Sequence, residues 1–572
     1  MLQMVLKSMI QGIFAAFSHI VRGIIPAQTN VKFAQTVVGN AFCAAARFDT
    51  ANFETYNQRM YKKPNIKLRK TRVIGPQTVF LIAVALLVFG PFASMEHIGN
   101  WVYDCAIQIK LGMDGIDAGH MITDEIYSWH EGLVFTAHES GWYLIVGFLY
   151  KYLGVWGVLA VCSVLSCSAA IAAAMFSRKK VHPLFIAAAL VLVRLMRCFP
   201  DYSARPSTSS TLIFIVTIIV LLSDREPIFK AGVFTIFCLL LAWLHGGFVP
   251  IYFAVYALFI VFELLYKNFK GAGVLACGIL TGFAVSLLNP IGFGLWSYGL
   301  KQTGSAEAIS LIDEWKPLEF DIVQVLILLL VLVGFMAGKG VREFEKKALI
   351  KLALFCMFFI MACVYRRFAL LLSIAFVLFA PEAYQDLAVW LRKNLLPKLP
   401  DKIKLSNAFY GLLAGVAAVM IVLSGVFYSG KYIKTNTMAD AEAIAAFDKG
   451  AADYVEEAGY EKIFNSFDTG SWLVFNGIKV HIDNRFDPYN SAFSGTDYLT
   501  GKMEITNLYE LDSFRAEYDC DAFLLDVNPV SCPLLNEIEL YASDRYKIVY
   551  DNTVTSVAPN HGSIRWIVIE CI

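Results

Sequence analysis

Charge is scarce in this chain. Asp, Glu, Lys and Arg make up 17% of its 572 residues, against 57% for the apolar set, where an ordinary globular protein carries about 25% charge and about 45–50% apolar residues. That deficit excludes a soluble multidomain protein, a disordered chain and a small disulfide framework, and it leaves a polytopic membrane protein whose surface faces lipid. Several motifs are missing as well. There is no GxxxxGK phosphate loop, no strand opening onto a Gly-Gly helix start, no nucleophilic Ser elbow and no CxxC spacing, so neither a soluble nucleotide-sugar site nor a nucleotide cofactor is expected. Most of the 12 Cys, including Cys162, Cys167, Cys238, Cys277, Cys356 and Cys363, lie inside apolar stretches and read as packing residues. Only Cys520 and Cys532 read as a candidate disulfide.

Acid is absent from residues 1–48, which instead place Lys7, Arg22, Lys32 and Arg47 among Met, Ile, Phe and Val at helical spacing. The pattern predicts a helix lying on a membrane surface; a secretory signal fits poorly, because the apolar run is interrupted and no small-residue cleavage site follows it. The cluster Lys62, Lys63, Lys67, Arg69, Lys70 and Arg72 then precedes the first strong apolar run and holds that end in the cytoplasm.

Apolar runs near 77–95, 155–177, 183–199, 208–223, 231–245, 248–266, 272–290, 321–338, 348–364, 367–381 and 408–428 predict about 11 transmembrane helices, several of them short. The basic connectors Arg178 to Lys180, Arg225 to Lys230, Lys267 to Lys270, Lys339 to Lys351 and Arg392 to Lys404 all fall on the side of the N-terminus. The expected organisation is a basic cytoplasmic or interfacial segment over 1–75, a transmembrane domain over 76–428 with an outside loop at 96–140, and an extracytoplasmic α/β domain over 429–572. That last part carries 11 Lys and Arg against 23 Asp and Glu. Its pattern predicts helix over Ala439 to Ala458 and Pro533 to Ala542. Strands are expected at Lys462 to Phe467, Lys479 to Ile482, Ala522 to Val527, Tyr546 to Tyr550 and Ile564 to Ile569. Membrane topology accounts for the basic clusters, so nucleic acid is not an expected partner; the lipid bilayer is.

The outside loop holds the groups least suited to packing: Asp104, Asp114, Asp117, Asp124, Glu125, Glu131 and Glu139 with His97, His120, His130 and His138. Carboxylates at a membrane surface act as general bases or hold Mg²⁺ or Mn²⁺ against a phosphate, and imidazole extends the metal option. A solvated acidic loop is the plain alternative. For Asp114 and Asp117, set among glycines, turn chemistry is expected. Asp104 follows Trp101 and Tyr103 on an amphipathic segment, Asp124 is a second candidate, and His138-Glu139 precede the aromatic stretch Trp142, Tyr143, Phe148, Tyr150 and Tyr152.

An outside loop with separated acids, about 11 spans and an outside C-terminal domain resemble the GT-C superfamily of integral membrane glycosyltransferases, which includes protein mannosyltransferases and aminoarabinose transferases. More narrowly, Asp124 to Ser128, His138-Glu139, Arg205-Pro206, Trp243 to Phe248, Leu288 to Gly292, Glu314 to Pro317 and Ile482 to Asp487 are similar, in that order, to an uncharacterised bacterial branch of it. The loop departs from the superfamily in having no adjacent acidic pair directly after the first span. The resemblance implies a polyprenyl-phosphate sugar donor and a glycan, lipid or protein acceptor in the cell envelope, at a bacterial inner membrane. It further implies Asp104 as base, Asp124 or Glu139 as metal or acceptor ligands with His138 beside them, and an optional Mg²⁺ or Mn²⁺.

The phosphate requires cations at the outer ends of spans. Arg194, Arg197, Arg205 and the pair Arg366-Arg367 lie there, and Arg205 and Arg367 are the preferred ligands. His245 is expected to make a structural hydrogen bond, with substrate binding as the alternative. Glu314 and Trp315 are expected to meet either the sugar or the C-terminal domain. Asp483, Arg485 and Asp487 follow a strand, in a loop that could carry function, with an internal Asp483–Arg485 ion pair as the favoured alternative. Two rival functions remain at this level. A transporter or flippase of lipid-linked sugars predicts ionisable residues at mid-membrane, and a non-catalytic anchor for the C-terminal domain predicts loop carboxylates that are replaceable.

Overall fold

The computed structural model describes residues 74–90, 95–195, 204–304, 310–395, 405–558 and 562–572. The expected interfacial helix over 1–48, the basic cluster 62–72 and Arg197 lie outside the described residues. Among those described, seven helices are long and apolar enough to cross a membrane: Ser140–Ser177, Pro227–Leu244, Gly246–Leu265, Phe269–Ser286, Lys346–Val364, Arg366–Asn394 and Asn407–Tyr432. Four shorter apolar helices, Pro76–Phe89, Pro183–Arg194, Ser207–Leu222 and Ile322–Ala337, fall where the remaining spans are expected. At 1.5 Å per residue they are shorter than a hydrocarbon core of about 30 Å. The chain is a helical membrane protein with a small sheet.

Two ends of this bundle differ in chemistry. At one end the basic connectors meet acids: Lys347 pairs with Asp224 at 2.5 Å, Lys346 with Glu263 at 2.5 Å, and Lys351 with Glu382. The other end carries the loop that follows Pro76–Phe89. It forms a 3₁₀ turn over Met95–Val102 and a helix over Asp104–Ala118 that lies against the first turns of Ser140–Ser177. Glycine makes that contact possible, since a Cβ on Gly112 would run into the Tyr143 carbonyl and one on Gly147 into the Gly112 backbone. This corrects the expected turn at Asp114 and Asp117. Both lie inside the helix, and their neighbouring glycines serve close approach rather than chain reversal. The aromatic stretch after Glu139 is the start of the 38-residue helix, which bends at Gly154, where φ is +65°.

The C-terminal region builds a four-stranded sheet, β1 (Ile463–Asn465), β2 (Ala522–Val527), β3 (Tyr546–Thr555) and β4 (Ser563–Cys571), in the order β1-β2-β4-β3. β1 and β2 are parallel, and the other pairs are antiparallel. The buried run Ala-Phe-Leu-Leu of β2 explains its central place, since both faces are covered. One face closes on helices Leu508–Tyr518 and Pro533–Tyr541 through Leu511, Phe514, Leu534 and Ile538. The other shares a core with the segment expected as an outside loop, where Trp472, Trp566 and Phe447 pack with Trp101, Trp142 and Ile98. The expected helix over 439–458 is two, Met438–Ala445 and Lys449–Ala458, broken at Ala446 with φ +62°. The expected strand at 479–482 is a single parallel bridge, Ser128 to Val480, which ties the 96–140 loop to this region. Helix Phe467–Phe475 was not expected. Its Gly470 sits against the Ile482 carbonyl, where a side chain would collide. The disulfide candidate is also corrected: Cys520 and Cys532 are both free, and strand pairing brings Cys571 beside Asp521, next to Cys520.

Candidate functional site

The site is assembled from helix ends and short turns at the end of the bundle that carries the 96–140 loop. Asp104 occupies the first turn of Asp104–Ala118, where unpaired backbone N–H groups favour a carboxylate. Glu139 is the residue before Ser140–Ser177, and its carbonyl accepts from the N–H groups of Trp142 and Tyr143. Arg205 precedes Pro206 and the helix Ser207–Leu222; the indole of Trp142 holds this stretch by donating to the Ala204 carbonyl at 2.8 Å.

Two further turns connect spans. His245 ends Pro227–Leu244, and the Gly246 N–H donates to the His138 carbonyl at 3.0 Å; a Cβ there would strike Leu295 and that carbonyl. Arg367 lies in the turn before the next long helix. Its neighbour Arg366 donates its backbone N–H to the Lys316 carbonyl at 2.8 Å, which docks this turn on the Glu314–Lys316 turn.

These backbone contacts gather side chains that are up to 263 residues apart in sequence, from Asp104 to Arg367. Arg205 pairs with Asp104 and with Glu314, bridging the two carboxylates. Glu139 lies 3.5 Å from His138 Nε2 and 3.6 Å from His245 Nε2, and accepts from Gln108 Nε2 at 3.2 Å. His245 Nδ1 meets the Ser210 hydroxyl at 2.6 Å, the structural hydrogen bond expected of it. His138 stacks on Tyr298, with ring centroids 4.0 Å apart, and bonds the Thr136 carbonyl through Nδ1 at 2.8 Å. Arg367 has its guanidinium 5.2 Å from the Trp315 ring and makes no ion pair among the described residues.

Exposure grades across the site. The side chains of Asp104, Arg205 and Glu314 remain 27%, 36% and 43% accessible, whereas Glu139 and His245 are 7% and 4%. The first three form a partly covered rim over a buried floor. Burial pushes the Asp104 carboxyl up to about 6 against the opposing pull of Arg205. Arg205 holds Glu314 down, to about 2. Burial favours the neutral form of Glu139, but the charge and hydrogen bond of His138, with Arg367 beyond, outweigh it and keep the carboxylate below its usual range. His138 is correspondingly raised: burial works against its charge, and the Glu139 carboxylate prevails. Burial drops His245 to about 3, leaving it neutral. The site therefore holds one ionised floor pair, one fixed anion at the rim, and one carboxylate that changes state near pH 6.

Of the residues singled out in the sequence, Asp104, His138, Glu139, Arg205, His245, Glu314 and Arg367 come together. Asp124 does not join them. It is exposed, while the adjacent Glu125 turns inward to Arg485, so the expected His138–Asp124 metal pair does not form. Trp315 is no open sugar platform either: it is 4% exposed and packs with Ile482, Phe486 and Tyr489 of the C-terminal region.

Three contributors were missed. Gln108 follows Asp104 by four residues on one helix face, a spacing that could have revealed it. Tyr298 carried no signal. Asp487 was noted only as part of a loop; its Oδ2 accepts from the Thr136 N–H at 2.8 Å, its Oδ1 is buried without a partner, and burial raises it to about 7. The preceding Phe486 has φ +64°, a strained setting for an aromatic residue that turns Asp487 inward.

A resident divalent cation does not fit this arrangement. Among the described residues no three His, Cys, Asp or Glu side chains are grouped as metal ligands. The position between the rim carboxylates is taken by the Arg205 guanidinium, which leaves no gap for a cation there.

No family model and no curated protein matches the sequence. The chain aligns with three solved structures of the oligosaccharyltransferase from Archaeoglobus fulgidus. The apo form aligns with TM-score 0.48 and 11% identity over 79% of this chain and 69% of that one. The complex with an inhibitory peptide and a dolichol-phosphate gives 0.47 and 11% over 79% and 70%. The form tethered to an acceptor peptide containing the NVT sequon gives 0.48 and 11% over 84% and 74%.

Proposed function

We propose that this protein is a GT-C-type membrane glycosyltransferase, transferring a sugar from a polyprenyl-phosphate donor to an extracytoplasmic acceptor. The observation that carries this reading is the juxtaposition of Asp104, a carboxylate that titrates near 6, with two guanidinium groups at one end of apolar helices. A base and a phosphate-binding pair, set where a lipid phosphate meets water, are what transfer from such a donor requires. The ionisable groups cluster at helix ends, whereas a lipid-linked-sugar transporter would place them along the spans.

On this reading the donor phosphodiester takes the Arg205 fork and the Arg367 cation, its prenyl chain lying along the helices. Arg205 then shares its charge with phosphate, its hold on Asp104 weakens, and the carboxylate becomes the stronger base. Asp104 removes the proton of the acceptor hydroxyl as that oxygen bonds the anomeric carbon. The bond from that carbon to phosphate oxygen breaks, and polyprenyl phosphate leaves with the electron pair. Glu139 holds His138 protonated beside the leaving group, and the floor of the site stays charged and dry. Glu314 returns Arg205 to its resting place after the product departs.

The test is release of free polyprenyl phosphate from a panel of polyprenyl-phosphate sugars by purified protein in lipid, followed by mass spectrometry, with Asp104→Asn alongside. Turnover by the parent and none by the variant is expected. Movement of intact donor across the bilayer without turnover would replace the enzyme with a transporter.

A further inference from the structure

Ten cysteines lie among the described residues, and most are isolated in apolar helices. Cys520 and Cys571 differ. Cys520 closes helix Leu508–Tyr518 onto the edge of β2, and Cys571 is the last residue of β4. The chain end is fastened there by backbone bonds: Cys571 N–H donates to the Asp521 carbonyl at 2.9 Å, and Ile572 N–H to the Arg545 carbonyl at 2.9 Å. Arg515 adds a third, from Nη2 to the Ile572 carbonyl at 2.9 Å. Both cysteines contribute to one apolar cluster, Cys520 inside it and Cys571 at its edge. The Cys571 bond to Asp521 sets Cys571 next to Cys520, and both stand as free thiols.

We propose that Cys520 and Cys571 form a disulfide that locks the C-terminal strand to the start of β2, made when the acidic region 429–572 enters an oxidising compartment. Cys571 is the attacking group. It is the more exposed of the two, and hydrogen bonding from Cys520, with Arg515 nearby, lowers its thiol. Its thiolate displaces one sulfur from the disulfide of a dithiol oxidase, forming a mixed disulfide. The Cys520 thiol then loses its proton and attacks the Cys571 sulfur, and the oxidase departs as a dithiol. Two protein thiols are oxidised and one catalyst disulfide is reduced. The closed loop spans about 50 residues, long enough for a substantial loss of unfolded-state entropy. The bond would hold together the strand pair β2–β4, whose apolar face covers Trp472 and the 96–140 loop.

The experiment uses the full-length protein in native membranes. Samples are quenched in acid, alkylated without reduction and digested with trypsin and Asp-N, because one tryptic peptide contains both Cys520 and Cys532. A linked peptide pair containing Cys520 and Cys571 is expected, retained in Cys532→Ser and lost in Cys571→Ser. A reductant should lower the melting temperature of the parent by on the order of 10 °C and leave that of Cys571→Ser unchanged. Alkylation of both residues as free thiols in the parent, or linkage of either to Cys532, would overturn the proposal. Cys532→Ser keeps the test decisive if Cys571→Ser fails to accumulate.

Discussion

Arg205 and Arg485 each hold two carboxylates across parts of the chain far apart in sequence, and they differ in what surrounds them. Arg485 is paired with Asp483 and with Glu125 of the 96–140 loop, at 2.6 and 2.5 Å, and these side chains are 4%, 0% and 4% exposed. Tyr489 donates to Asp483 at 2.8 Å, and the Tyr127 and Phe135 rings flank the guanidinium. Every partner is supplied by the protein, so this cluster clamps the loop to the C-terminal region. Arg205 has the same two-carboxylate pattern on a partly covered rim, beside a second arginine that lacks a carboxylate partner among the described residues. A saturated, dry arginine cluster is structural. One with access and a neighbouring cation that no carboxylate pairs has capacity for an anion.

The sharpest way to break this comparison is to delete each arginine's role separately. Arg485→Ala strands Asp483 and Glu125 in the interior and should cost about 3–5 kcal/mol, read as loss of folded protein in a thermal melt. A melt like the parent's would remove the clamp. At the rim, Asp104→Asn should lower transfer by about 10²–10⁴-fold while the melting temperature stays within a few degrees of the parent's. A matching collapse in stability would make Asp104 a second clamp residue instead. Arg367→Ala should raise the donor KM roughly tenfold, the value of one charge-assisted contact, with kcat little changed; a fall in kcat alone would count against the phosphate role.

The pH dependence is a finer probe. Asp104 is raised, so its base form fills only above about pH 6, and transfer should climb through an acid limb near that value. Glu314 is among the groups that raise Asp104, and Glu314→Gln should move this limb to lower pH. An unmoved limb would assign it to another group. The smallest effect is expected for Asp124→Asn, exposed and outside both clusters, which should match the parent in melting and transfer.

Much of this arrangement was legible beforehand. Apolar runs located the helices, because lipid requires long unbroken apolar segments with satisfied backbones. The β2 strand was legible from Ala522 to Val527, since a fully covered strand reads as a continuous apolar run. Arg205, His245, Glu314 and Arg367 were legible as polar groups at span ends, where packing has no use for them. Asp114 and Asp117 were misread because glycines that allow helices to approach look like glycines that turn a chain. Trp315 was left between the sugar and the C-terminal domain, and its packing on Ile482 and Tyr489 selects the second; an aromatic residue in a loop looks the same whether it faces solvent or another part of the protein.

What the sequence by itself determined is the membrane class, the positions of the apolar helices and the set of residues too polar for their surroundings. Those properties are local sums over neighbouring residues. Only the tertiary structure decided that Arg205 bridges Asp104 and Glu314, that Glu125 rather than Asp124 turns inward, and that Cys571 meets Cys520. Each of these pairings joins segments distant in sequence that the fold docks by backbone hydrogen bonds, such as Arg366 to Lys316 and Cys571 to Asp521. No periodicity within either segment records its partner.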